Sequence, residues 1–104
     1  MAELGWLTFD QFEGRVGETF DVSADGGPTI RTELVEATES SELGGTGPQG
    51  QERRQFSLVF RGPPEPALSQ AIHRVEHAEL GELHLFLVPL GPDGEGVRYQ
   101  AVFA

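Results

Sequence analysis

The sequence predicts an all-β protein: a single small antiparallel β-barrel or sandwich of about six strands, with a short N-terminal helical turn. Segments in which apolar and polar residues alternate recur along the chain, and such alternation is typical of strands with one buried face. Glycine, proline and aspartate, which favour turns, separate most of these segments. The length of 104 residues suits one domain, residues 1–104.

Residues 81–90 form the segment around which we expect the rest of the chain to pack. Three leucines fall on one face of a strand here, and the opposite face carries His84, Phe86 and Val88. Because both faces are mostly apolar, the segment is predicted to be a central strand covered on both sides. The expected core contains Phe56, Leu58, Phe60, Leu85, Leu87 and Phe103.

A short helical turn is predicted before the first strand, within residues 4–17. Thr8 or Asp10 can cap it through a side-chain oxygen, and Gly14 is placed to end it. Its apolar anchors are Leu7, Phe9 and Phe12.

Four segments alternate clearly enough to be predicted as strands. The first two are joined by Asp25-Gly26, which is a strong hairpin signal. Prolines in residues 62–66 must end the third, because proline cannot donate a hydrogen bond to a neighbouring strand. A turn rich in glycine at 91–96 precedes the last. The four segments are 18–23, 29–38, 53–61 and 97–104.

Residues 39–52 interrupt this pattern. They contain Gly44, Gly45, Gly47 and Gly50 together with Pro48 and several polar residues. This composition predicts a mobile glycine-rich loop, and a function that depends on the loop becoming ordered on a partner stays open.

Residues 68–79 are ambiguous, because their apolar residues fit helical spacing slightly better than strand alternation. On a helix, His73, Glu76 and His77 would match the H-x-x-E-H pattern of zinc peptidases. In a strand, the two histidines share a face but stand about 13 Å apart, which is too far for one metal ion. The metal-dependent hydrolase is therefore the weakest functional hypothesis.

Charge and composition exclude several classes of function. Seven basic residues stand against 17 acidic ones, a formal net charge of −10, which repels nucleic acid and anionic membranes and favours a basic partner. Cysteine is absent, so there is no thiolate metal site and no cysteine nucleophile. No cofactor is predicted. The N-terminus lacks the basic region of a signal peptide and no run is apolar enough for a membrane span, so we expect a cytoplasmic protein, with export as part of an assembly left open.

Several stretches together resemble a family of small bacterial proteins that is known only as a domain of unknown function. They are residues 56–63 (FSLVFRGP), 85–89 (LFLVP) and 98–103 (RYQAVF), supported by 9–20 at the front. The resemblance implies a β-domain of this size, in a family sometimes encoded near phage tail-collar-like proteins, with no catalytic residues to carry over. Relatives tend to have glycine near Ala71, tyrosine at His73 and proline at Ala78, which implies a strand at 71–77, although this chain departs from the family at those three positions.

The favoured function is a non-enzymatic structural or protein-interaction module, an accessory component of a phage-tail-like or cell-surface assembly. A small-ligand-binding barrel is the first alternative, although barrels that hold a ligand usually have about eight strands. The partner is expected to be another protein of unknown identity, tail-collar-like by the resemblance, and a homo-oligomer stays open. The candidate partner contacts are Trp6, Phe9, Phe12, Arg61, Pro63, Pro64 and Gln70.

Overall fold

The chain folds into a closed barrel of six antiparallel strands. A computed structural model describes residues 8–23, 29–46, 52–64, 68–92 and 94–103. Around the barrel the strands run in the order β1-β2-β3-β6-β5-β4. This confirms the predicted all-β fold and gives the barrel as its form. The strands are β1 (Thr19–Ser23), β2 (Thr29–Thr46), β3 (Glu52–Gly62), β4 (Ala71–His77), β5 (Gly81–Pro92) and β6 (Val97–Phe103).

The inner face of every strand contributes to one apolar core. On β5 this face carries Leu83, Leu85 and Leu87, all buried, and β3 contributes Phe56, Leu58 and Phe60. Phe103 on β6 is partly buried and packs against the same cluster, where its ring stacks on that of Phe56 with centroids 4.4 Å apart. The predicted shared core is therefore confirmed.

The predicted cover on both faces of β5 was wrong. Its outer face is open to solvent, and the side chain of Phe86 is 50% exposed. The reason is topological: one sheet closed on itself has a single interior, and among the described residues no second layer covers the outside. Within the described residues, the outer face of β5 is therefore largely open to solvent.

The predicted loop at 39–52 starts too early, because residues 39–46 belong to a strand. β2 continues to Thr46, and β3 pairs with it from Glu52 onward, with irregular register between Glu39 and Thr46. Strands pair through backbone hydrogen bonds, which do not require apolar and polar side chains to alternate. The alternation of side chains therefore did not predict that β2 extends beyond residue 38. Residues 47–51 lie outside the described residues, and mobility of the segment stays a prediction.

The segment left ambiguous by periodicity is a strand. β4 spans Ala71–His77, and its inward side chains are His73, Val75 and His77. The strand lies between β1 and β5, where Val75 is opposite Val22 on one side and Leu83 on the other. The β1–β4 pairing closes the barrel, so a helix here would leave the sheet open.

The predicted N-terminal turn is present as two short 3-10 helices, Phe9–Gln11 and Glu13–Arg15. The backbone N–H of Thr8 donates to Gln11 Oε1 at 2.8 Å, which satisfies one of the donors at the start of the turn. Phe12 is fully buried, and its ring lies 6.1–6.4 Å from the rings of Phe20, Phe56 and Phe103. The turn is thereby fixed to the core.

Among the described residues, no helix has the length and apolar character needed to cross a membrane.

Candidate interaction surface

Three exposed apolar side chains lie on the outer faces of three neighbouring strands of the barrel. Ile72 on β4, Phe86 on β5 and Val102 on β6 are 65%, 50% and 64% exposed. Ile72 is directly opposite Phe86 in the β4–β5 ladder. The β5–β6 ladder ends at the pair Val88–Gln100. Phe86 on β5 and Val102 on β6 each lie two residues beyond that pair, on the outer faces of their strands. We call Ile72, Phe86 and Val102 the outer apolar row.

The row runs across the strands and continues into polar residues at one end. Val102 is opposite Ser57 on β3, and Ser57 is opposite Thr38 on β2. These side chains, with Gln100 nearby, line a shallow depression of about 290 Å³. The row therefore has an apolar part over three neighbouring strands and an uncharged polar extension over two more.

In one direction along β4 and β5, charged pairs follow the row at once, whereas in the other direction β5 continues through Val88 to Leu90, which is 45% exposed. Arg74 and His84 are opposite each other next to the row, and Glu76 and Glu82 form the next pair. Arg74 Nη2 donates to Glu76 Oε2 at 3.0 Å, and the Arg74 Nε atom is 3.6 Å from Glu82 Oε1. His84 Nε2 lies 2.8 Å from Glu82 Oε2. These four side chains hydrogen-bond or pair with one another, so the row has a polar rim on this side.

A surface of this kind can bind another protein. Exposed apolar residues scattered singly are ordinary, whereas a contiguous group with a polar rim is typical of interaction sites. Phenylalanine at the centre of such a group is a favourable anchor, because its burial removes a large apolar area from water.

A second cluster joins the N-terminal turn to the sheet. His77 Nδ1 accepts hydrogen bonds from the backbone N–H groups of Glu79 and Leu80, at 3.0 and 3.1 Å. The ring proton is therefore on Nε2, which donates to Glu18 Oε1 at 2.7 Å. Arg15 donates to the same Glu18 oxygen at 3.3 Å and also to the carboxylate of Glu79. The cluster connects residues far apart in sequence and holds the turn against β4.

The hydrogen bond from His77, together with that from Arg15, lowers the pKa of Glu18 below its ordinary value, against a smaller opposing effect of burial. A carboxylate whose folded-state pKa is lowered stabilises the fold above its unfolded-state pKa, and this contribution is lost as the pH falls through the folded-state value. We therefore expect Glu18→Gln to be less stable than the original chain at neutral pH, and the difference to shrink under acid conditions.

Urea unfolding at about pH 7 and about pH 3 measures this difference, because linkage confines the loss to the acid range. Glu13→Gln, which changes an exposed carboxylate on the same turn, is the matched control and should shift the midpoint little. A stability gap between Glu18→Gln and the original chain that stays constant with pH would contradict the assignment.

The zinc-peptidase pattern at 73–77 does not form a metal site in this fold. Both histidines point inward from β4. The Nδ1 and Nε2 atoms of His73 lie 3.2 and 2.8 Å from the carbonyl oxygens of Ser23 and Ser69, and both ring nitrogens of His77 are engaged as described. Backbone carbonyl oxygens occupy the positions from which a metal ion would approach the His73 ring, and no metal-binding group of three or more His, Asp or Glu side chains occurs among the described residues.

The residues predicted as partner contacts are dispersed by the fold. Phe12 was a wrong choice, because it is fully buried in the core, and Phe9 is half-buried with its ring 6.1 Å from that of Phe56. Arg61 forms an ion pair with Glu95 at 3.3 Å. Those two residues and Pro63 line one open groove of about 630 Å³ on the barrel wall. Pro64 and Gln70 are exposed and stay predictions, and Trp6 lies outside the described residues.

Sequence reasoning missed all three members of the outer apolar row. The signal was present in residues 81–90, where Phe86 lies opposite the buried leucines, and at Val102, which faces away from Tyr99 and Ala101. Apolar residues on the second face of a strand predict cover, but they do not show whether the same chain provides it.

Comparison with known proteins gives one match. Residues 7–103 match a family model described as Domain of unknown function (DUF6916). No curated protein matches, and no solved structure matches.

Proposed function

The chain belongs to this family of domains of unknown function, and we propose that it is a non-enzymatic protein-interaction module that docks on a larger assembly through the outer apolar row. We further propose that this assembly is phage-tail-like or located at the cell surface, because the chain resembles proteins encoded near tail-collar-like genes. In this proposal the barrel is a rigid scaffold and its outer face makes the contact.

The exposure of Ile72, Phe86 and Val102 on the outer faces of three neighbouring strands is the observation that carries the proposal. Burying a side chain of this size contributes about 1.5–3 kcal/mol, so a partner that covers the row gains from all three. Rigid strands hold the three side chains in place before binding, which reduces the entropy lost on association.

The alternatives have less support. The space between the strands that a ligand-binding barrel would need is filled by the apolar core, which includes Phe20, Phe60 and Tyr99. A hydrolase acting through His73 and His77 would require ring nitrogens that are already engaged.

A pull-down of the tagged protein from its native host, with the captured proteins quantified by mass spectrometry, tests the proposal. We expect a stoichiometric partner whose recovery falls by about tenfold or more with Phe86→Ser, since truncating an interface hot spot costs about 2 kcal/mol or more and tenfold corresponds to about 1.4 kcal/mol. Val16→Ser is the matched control, because Val16 is similarly exposed, at 51%, but lies on the N-terminal turn.

The unfolding midpoint of each variant is measured alongside, so that loss of partner is separated from loss of fold. Equal recovery of the partner with the original chain and with folded Phe86→Ser and Val102→Ser variants would contradict the proposal.

A further inference from the structure

We infer that the loop between β4 and β5, residues 78–80, is a pH-sensitive device that opens when the ring of His77 takes up a proton at Nδ1, while the barrel stays folded. This inference does not depend on the proposed function. It follows from the atoms that the buried ring contacts and from which of those contacts survive a second ring proton.

The side chain of His77 holds the loop of its own hairpin. His77 pairs with Gly81, so only residues 78–80 lie between the two strands. The backbone N–H groups of Glu79 and Leu80 both donate to His77 Nδ1, at 3.0 and 3.1 Å. One ring nitrogen is thus the acceptor for two of the three residues in the loop.

A second proton on the ring removes that acceptor. A neutral imidazole has one N–H donor and one acceptor nitrogen, whereas the imidazolium ion has two donors and no acceptor. After protonation, the Nδ1–H group of His77 would point at two backbone N–H groups. Both hydrogen bonds to the loop are then lost together.

The groups that face the ring from other elements keep it in place after protonation. Glu18, from the segment before β1, accepts from His77 Nε2 at 2.7 Å, and hydrogen bonds between two charged groups are the stronger kind. Arg15 of the N-terminal turn pairs with the same carboxylate and with that of Glu79. The ring of Phe20 on β1 packs against the imidazole, with ring centroids 4.5 Å apart. The imidazole therefore stays in position, and the loop backbone moves.

The loop is placed where it can open without disturbing the core. Ala78 and Glu79 are exposed, whereas the side chain of His77 is only 4% exposed. The freed backbone N–H groups can therefore bind water after a small displacement. Leu80 lines a depression of about 310 Å³ together with Arg15 and other residues of the N-terminal turn. Opening of the loop changes the shape of this depression.

Nitrogen-15 NMR of the labelled full chain between about pH 8 and about pH 5, where histidine usually changes charge, tests the inference. The ring signals of His77 show which nitrogen carries the proton, and hydrogen-exchange protection of the Glu79 and Leu80 amides shows whether the loop is closed. Glu18 stays ionised in this range because its pKa is lowered, so the response belongs to the ring. His77→Asn keeps an acceptor oxygen near the position of Nδ1 but does not titrate. His84→Asn is the matched control, because His84 is exposed on the neighbouring strand.

At about pH 8 we expect Nδ1 of His77 to carry no proton and both loop amides to be protected. On acidification their protection should fall about tenfold or more, with the same midpoint as the ring, because two hydrogen bonds are lost. The amide of Val75 within β4 should stay protected. The response should persist in His84→Asn and be absent from His77→Asn.

A proton on Nδ1 at the alkaline end of the range would overturn the inference, as would loop amides whose protection stays constant while the ring titrates. Simultaneous loss of protection at Val75 would also overturn it, because the barrel would then be unfolding as a whole. A folded His77→Asn variant that retains the full response would do the same. If that variant does not fold, the ring and amide signals of the original chain still decide.

Discussion

Leu87→Asp is expected to abolish the folded state. Leu87 is fully buried on the inner face of β5, opposite Ala71 of β4 and within the single core of the barrel. Loss of a buried leucine alone costs about 2–5 kcal/mol, and a carboxylate placed there without a partner adds a desolvation penalty of several kcal/mol. The sum is comparable to the total stability of a small domain, which is about 5–15 kcal/mol.

Circular dichroism and urea unfolding of Leu87→Asp measure this effect, and the expected result is a chain without a cooperative transition. Ile72→Asp is the matched control, because Ile72 belongs to the adjacent strand but points outward and is 65% exposed. That variant should unfold within about 0.5 kcal/mol of the original chain, as surface substitutions generally do. A cooperatively folded Leu87→Asp variant would refute the assignment of Leu87 to the core.

Phe12→Ala is expected to lower the free energy of unfolding by about 3–5 kcal/mol, the range for removing a buried phenylalanine side chain. The ring of Phe12 contacts the aromatic rings of Phe20, Phe56 and Phe103, which belong to three different strands. Its removal leaves a cavity where the N-terminal turn meets the barrel, and the rigid sheet cannot close fully around it.

Urea unfolding again provides the measurement, and Val16→Ala is the control on the same turn, since Val16 is about half exposed. The result also separates two interpretations of Phe12. A core residue changes stability when truncated, whereas a partner contact changes binding and leaves the unfolding midpoint in place. An unchanged midpoint for Phe12→Ala would restore the sequence-based hypothesis that this ring is a partner contact.

The candidate site was less predictable than the fold, and the reason is visible in particular residues. The spacing of His73 and His77 matches a metal-binding pattern. In the fold, however, these rings contact Ser23 of β1 and Glu18 of the segment before β1. A contact between Glu18 and His77 joins positions 59 residues apart, and nothing in the local pattern around either residue indicates it. The outer apolar row likewise unites residues from three strands.

The sequence by itself predicted five of the six strands, because alternation with a period of two is a local property that each strand carries alone. Phe56, Leu58 and Phe60 on β3, and the leucines of β5, were assigned to the core on that basis. The sequence left residues 68–79 ambiguous, missed the extension of β2 to Thr46 and predicted cover for the outer face of β5 that the fold does not provide. Only the tertiary structure decided that β1 pairs with β4 to close the sheet. Closure gives the barrel one interior, so Ile72, Phe86 and Val102 remain on the outside, where a partner can reach them.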